Sequence, residues 1–180
     1  VRIRLCLAVS AVLLTATGCA DAPAAVPVPP VEPLTIEVAA ASSGGACRLL
    51  DFAVIEEHTG VRFDVAAAGD RADTHTCVVR AGAATLPELT LTVTDTSIDA
   101  PTFNADVLPR GAAKVTKLGQ VAYRRTVAKN GPVAEVGWLA AEGRLATLHW
   151  TCEKGTAKAE VEELTGKLVE LAKRIDTRSL

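Results

Sequence analysis

The chain has 180 residues, with 19 basic against 21 acidic side chains and a formal net charge of −2. Both signs are interspersed rather than gathered into the footprint of a nucleic-acid binder, which sets nucleic acid aside as a partner. Aromatic residues are few, Trp138, Trp150, Tyr123 and three Phe, and Met is absent, so the core must rest on aliphatic packing.

Arg2 and Arg4 precede an apolar run over residues 5–16, and Ala16-Thr17-Gly18-Cys19 follows. A positive start, a short apolar stretch and small residues at a cut are the pattern of an export signal, here predicted over residues 1–18. The run is too short to span a bilayer as a mature helix, which takes ~20 residues. Ala16 to Cys19 resembles a bacterial lipobox, with Ala16 where the pattern prefers Leu. The resemblance implies that Cys19 carries a diacylglycerol thioether and becomes the mature amino terminus, confining the protein to the extracytoplasmic face of the cell membrane. Two acyl chains contribute ~0.8 kcal/mol per buried methylene, enough for stable anchoring. The plainer reading is an ordinary secretory signal cut near Gly18 or Ala20, and Cys6 falls inside the removed segment.

Residues 20–33 hold five prolines among small residues, a composition that favours extended polyproline II and builds no packed core. A lipidated tether is therefore expected over residues 19–44, reaching roughly 75 Å at ~3.1 Å per residue. Leu34, Ile36 and Val38 alternate as a short edge strand would. A single globular domain is expected over residues 45–180.

Within it, Leu49, Leu50, Ala53 and Val54 gather on one side of a helix predicted from Cys47 to Thr59, with Gly60 as its stop. Strands are predicted over residues 77–80 and 89–94, the second alternating Leu89, Leu91 and Val93 with threonines. Residues 97–113 show no period and are expected to be irregular. Residues 121–127, 133–140 and 144–152 form a predicted meander with turns at Asn130-Gly131 and Glu142-Gly143. Taken as two-residue loops, those turns place Tyr123, Trp138, Leu145 and His149 on one face, and Leu139, Leu148, Trp150 and Cys152 on the other. The first set makes Tyr123, Trp138 and His149 the candidate binding surface, since exposed aromatic groups concentrate binding energy. Packing beneath a helix is the bland alternative, and burial of Trp138 decides between them.

The closing segment is the clearest element: Ala157, Val161, Leu164, Leu168, Leu171, Ala172 and Ile175 fall on one helical stripe. Thr156 is placed to cap it, and Glu163 with Lys167 and Glu170 with Arg174 are spaced as i,i+4 pairs. The expected fold is α+β: an antiparallel sheet of about five strands with an N-terminal and a long C-terminal helix.

Cys47-Arg48-Leu49-Leu50, Gly60, Cys77, Leu118-Gly119-Gln120-Val121-Ala122-Tyr123 and the final amphipathic helix together resemble a family of actinobacterial cell-envelope lipoproteins of unassigned function. The likeness covers most of residues 45–176; the chain differs at Val78-Val79, where that pattern often has an aromatic residue, and in carrying Cys152. It implies an α/β/α sandwich of the PsbP/Mog1-like type and a Cys47–Cys77 disulfide, with no catalytic activity attached. Spacing alone leaves the pairing among Cys47, Cys77 and Cys152 open, with Cys77–Cys152 the alternative.

His75-x-Cys77 and His149-x-x-Cys152 bring imidazole and thiol together, but match no standard zinc spacing. No nucleophile elbow, phosphate-binding glycine loop or His-Glu-x-x-His occurs, and Glu56-Glu57 diverge around a helix. No cofactor or metal is expected, and the sequence predicts a non-enzymatic module that binds an envelope protein, glycan or lipid. The alternative is a thiol-dependent enzyme or redox protein using Cys152.

Overall fold

The computed structural model describes residues 40–128 and 131–180. The predicted signal, Cys19, the strand at residues 34–39, Asn130 and most of the tether lie outside them. The tether's last residues are described: Ala40–Ser43 is a 3-10 turn with Ala40 fully buried, and the Ser43 hydroxyl donates to the Ala66 carbonyl at 2.9 Å.

The domain is α+β. Seven antiparallel strands are ordered β1-β2-β3-β7-β6-β5-β4: β1 (Val65–Arg71), β2 (Thr74–Arg80), β3 (Glu88–Asp95), β4 (Ala113–Val115), β5 (Val121–Val127), β6 (Val133–Leu139) and β7 (Arg144–Thr151). Two meanders, β1 to β3 and β4 to β7, join where β3 pairs with β7. The count of about five is thus corrected to seven among the described residues. The additional strands, β1 and β4, are the two edges, where one open side removes the need for an apolar alternation; β1 reads Val-Ala-Ala-Ala-Gly-Asp-Arg and is mostly exposed.

Helices α1 (Phe52–Thr59) and α3 (Lys158–Ala172) cover one face. Beneath them lie Leu89, Leu91 and Val93 of β3, Val136 and Trp138 of β6, and Leu148 and Trp150 of β7, in one buried cluster with Val161, Leu168 and Leu171 of α3. Phe63 stands edge-on to Trp150 at 5.1 Å between ring centroids. Burial of this set at roughly 25 cal/mol per Å² is the main stabilising term.

The predicted first helix is broken in two. Gly45–Leu49 is a 3-10 turn, and Asp51, in extended backbone, starts α1 by accepting from the Ala53 N–H at 2.7 Å. Gly60 ends α1 in the left-handed region at φ 77°, where a glycine costs least. The break lets Cys47 reach β2, where it forms the disulfide with Cys77 across 30 residues of sequence. Helix α3 follows its predicted stripe, but Thr156 donates to the Glu153 carbonyl and the cap position falls to Ala157. Glu163 pairs with Lys167 at 2.9 Å, whereas Glu170 pairs with Lys173 rather than Arg174. Among the described residues no helix is long and apolar enough to cross a membrane.

The stretch expected to be irregular holds α2 (Ala100–Thr102), which runs into a π-helical turn, Phe103–Val107. Asp99 caps it by accepting from the Thr102 N–H at 2.9 Å. It packs on one end of the sheet's second face, with Phe103 fully buried against Tyr123 and Leu139.

Candidate functional site

The second face is set by strand register. Arg125 of β5 is opposite Glu135 of β6, which is opposite His149 of β7; the three form one rank across the sheet. Tyr123, two residues along β5 on the same face, is opposite Gly137. A Cβ at Gly137 would lie 2.5 Å from the Tyr123 ring, so the missing side chain is what allows the ring to lie flat across β6 and reach Glu135. Phe103 closes it from above, 6.0 Å between centroids.

Glu135 is the hub. The Tyr123 hydroxyl donates to its Oε1 at 2.9 Å, and Arg125 Nη2 donates to its Oε2 at 3.0 Å. His149 Nδ1 is 3.1 Å from the same oxygen; because an ionised carboxylate only accepts, that nitrogen carries the proton. Burial by itself would push the Glu135 carboxyl up, since Glu135 is only 7 % exposed. The His149 and Tyr123 hydrogen bonds and the Arg125 charge outweigh burial and hold it down at about 2. Burial first, and then the Glu135 charge and hydrogen bond, raise the Tyr123 phenol. Glu135 is therefore ionised and engaged at neutral pH, a poor general acid. Toward solvent the cluster offers the His149 imidazole, whose side chain is 40 % exposed, and the Arg125 guanidinium.

Away from α2 the face is ranked with hydroxyls. Thr76 of β2, Thr92 of β3 and Thr147 of β7 stand opposite one another in one row, continuing into Gly137 and Tyr123. Thr74 and Thr94 flank it, their hydroxyls 3.1 Å apart, and Thr90 leads into His149 and Glu135. All are half-buried.

The predicted Tyr123, Trp138 and His149 surface does not form: burial of Trp138, the deciding observation, falls on the side of packing beneath a helix. Tyr123 and His149 do share a face, and Glu135 joins them. Trp138 is 2 % exposed and lies on the opposite face, in the core with α3, while Leu139 takes the face assigned to Trp138. Tyr123, 5 % exposed, is a buried strut rather than a contact residue. Neither loop flanking β6 has two residues. Ala141, Glu142 and Gly143 form a three-residue loop: the Gly143 N–H donates to the Ala140 carbonyl, the Ala140 N–H to the Arg144 carbonyl, and Gly143 sits at φ 82°. This is a turn followed by a left-handed glycine bulge. At the other end Val127 is opposite Val133. Each difference shifts register by one residue, and a one-residue slip moves every side chain to the other face. The two slips cancel between β5 and β7 and reverse only β6.

Cysteine and histidine chemistry falls elsewhere. Cys77 is consumed by the disulfide, and His75 Nδ1 engages Asp70 at 2.6 Å. Cys152 is a free, buried thiol whose pKa is pushed up first by burial and then by Glu160. Both effects oppose a reactive thiolate. No group of three or more His, Cys, Asp or Glu side chains among the described residues could hold a metal ion. The chain matches no family model, no curated protein and no solved structure.

Proposed function

We propose that the chain is a lipid-anchored, extracytoplasmic binding module of the bacterial cell envelope, held to the membrane through Cys19 and acting without catalysing a reaction. On this reading the tether lifts a sandwich of the PsbP/Mog1-like type off the membrane, within the family its sequence resembles. The observation that supports it best is the second sheet face: ranks of threonine hydroxyls lead to an imidazole and a guanidinium that are already fixed by a buried carboxylate. Such a face offers polar contacts at little entropic cost, because its donors are held before a ligand arrives.

Two measurements test it. The mature amino terminus is expected to be an acylated Cys19 by mass spectrometry, and Cys19→Ala should release the protein from membranes; an unacylated start beyond that residue defeats the anchor. Envelope components retained by the immobilised full domain should be lost on Thr92→Arg, which places a long charged side chain in the middle of the threonine row. Equal retention by the variant removes this face from the reading.

A further inference from the structure

The interspersion of charge expected from composition breaks down locally. From Val107 to Ala134 every charged residue is basic: Arg110, Lys114, Lys117, Arg124, Arg125 and Lys129. The fold gathers Lys114 of β4 with Arg124 and Arg125 of β5 at one edge of the sheet. Arg125 is committed to Glu135. Arg110, Lys114, Lys117 and Arg124 are exposed, and none has a carboxylate partner among the described residues.

At that edge the backbone is also unpaired. β4 covers only Ala122 to Arg124 of β5, while β5 continues to Val127. The chain entering β4 is turned aside at Gly111, φ 78°, where the Ala112 N–H donates to the Pro109 carbonyl. On its inner side β5 stays fully paired with β6 through Val127. On its outer side, among the described residues, no strand pairs with Arg125, Thr126 or Val127. A groove of about 460 Å³ opens there, bounded by Gly111 and Ala113, by Arg124 and Thr126, and by Lys158, Glu162 and Thr165 of α3. The acid in its wall, Glu162, is tied to Lys158 at 3.4 Å with both side chains more than half exposed, an ion pair weak enough to exchange.

We infer that the β5 edge docks an acidic, extended segment of a partner protein as an added strand. An open edge supplies main-chain hydrogen bonds, and alternate side chains of the incoming strand supply specificity. Here those on the α3 side enter the groove, where Arg124 and Lys158 favour carboxylates. Basic residues on an edge also repel a second copy of the same edge, which suits a partner of opposite charge. The inference rests on a different surface from the threonine face and does not require the lipid anchor.

The test uses the full chain and a fluorescent peptide of alternating Glu and Val, read by anisotropy at low salt. Saturable binding is expected, with amide hydrogen exchange slowed at Arg125 to Val127. Arg124→Glu and, separately, Lys158→Glu should each weaken it by roughly tenfold or more, and a Lys/Val peptide should prefer the Arg124→Glu protein. That reversal also shows the variant is folded. A peptide N-methylated at alternate amides should not bind. Four outcomes overturn the inference: binding indifferent to both substitutions; equal binding of the N-methylated peptide, which means charge without strand addition; binding of phosphatidylglycerol vesicles but not of the peptide, which makes the edge a lipid contact; or self-association protecting the same amides, which makes the occupant a second copy.

Discussion

Glu135→Gln tests the hub of the second face directly. The substitution keeps the shape of the side chain, removes its charge, and leaves Arg125 and His149 facing a neutral amide. Glu135 binds its proton more weakly in the folded protein, at about 2, than in the unfolded chain, near 4.5. Between those values the unfolded state holds more protons, so stability rises with pH across the window and is lost as pH falls through it. At about 1.4 kcal/mol for each tenfold difference in proton affinity, the carboxylate contributes roughly 3 kcal/mol at neutral pH and almost nothing at pH 2. Urea unfolding followed through the buried Trp138 and Trp150 should therefore show Glu135→Gln less stable by roughly 3 kcal/mol at pH 7, on the order of 10 °C in Tm for a domain of this size. The gap between the two proteins should close as pH falls from 4.5 to 2. A gap under about 1 kcal/mol at pH 7, or one of equal size at pH 3, would refute the assignment of Glu135 as an ionised, load-sharing acceptor.

Gly137→Ala forces a Cβ to within 2.5 Å of the Tyr123 ring and should cost about 2 kcal/mol; in a double-mutant cycle Tyr123→Leu should recover most of it. Gly119→Ala should be at least as costly by thermal unfolding, because its Cβ would stand 2.3 Å from the Leu139 carbonyl oxygen at φ +55°. Replacing Cys47 and Cys77 together by Ala opens a 30-residue loop and should lower stability by roughly 3 to 4 kcal/mol in denaturant. Cys152, buried with a raised pKa, should react with iodoacetamide at pH 7 only as fast as the domain unfolds; rapid labelling of the native protein would favour the thiol-based reading.

Sequence made the central elements legible because their residues have one buried face each. The alternation of Leu89, Leu91 and Val93 with threonines, and the stripe from Val161 to Ala172, each correspond to an element with its apolar side in the core. β1 left no such trace, since an edge strand of Ala, Gly, Asp and Arg buries too little to impose a period. α2 escaped for another reason. It is three residues long, too short to show a period; Asp99 and Pro101 carry the cap and proline of a helix start, but its packing depends on Phe103 meeting Tyr123 and Leu139 from a distant strand pair, which is a tertiary event.

The site was half legible for a reason that lies in counting. Tyr123 and His149 are on strands separated by β6, so their shared face depends only on the sum of two register shifts, and errors of one residue in each loop cancel. The residue on β6 itself depends on each shift separately. Thus Trp138 exchanged faces with Glu135 and Gly137, and the expected aromatic surface gave way to a buried carboxylate beneath a flat tyrosine. A signal for this did exist: Glu135 interrupts an otherwise apolar strand, Val133 to Leu139. A charge there can be tolerated only with partners, and Arg125 and His149 are the side chains at its own rank on the neighbouring strands. Reading β6 by the demand that Glu135 be satisfied, rather than by the length of the loops beside it, would have placed all four residues of the cluster on one face.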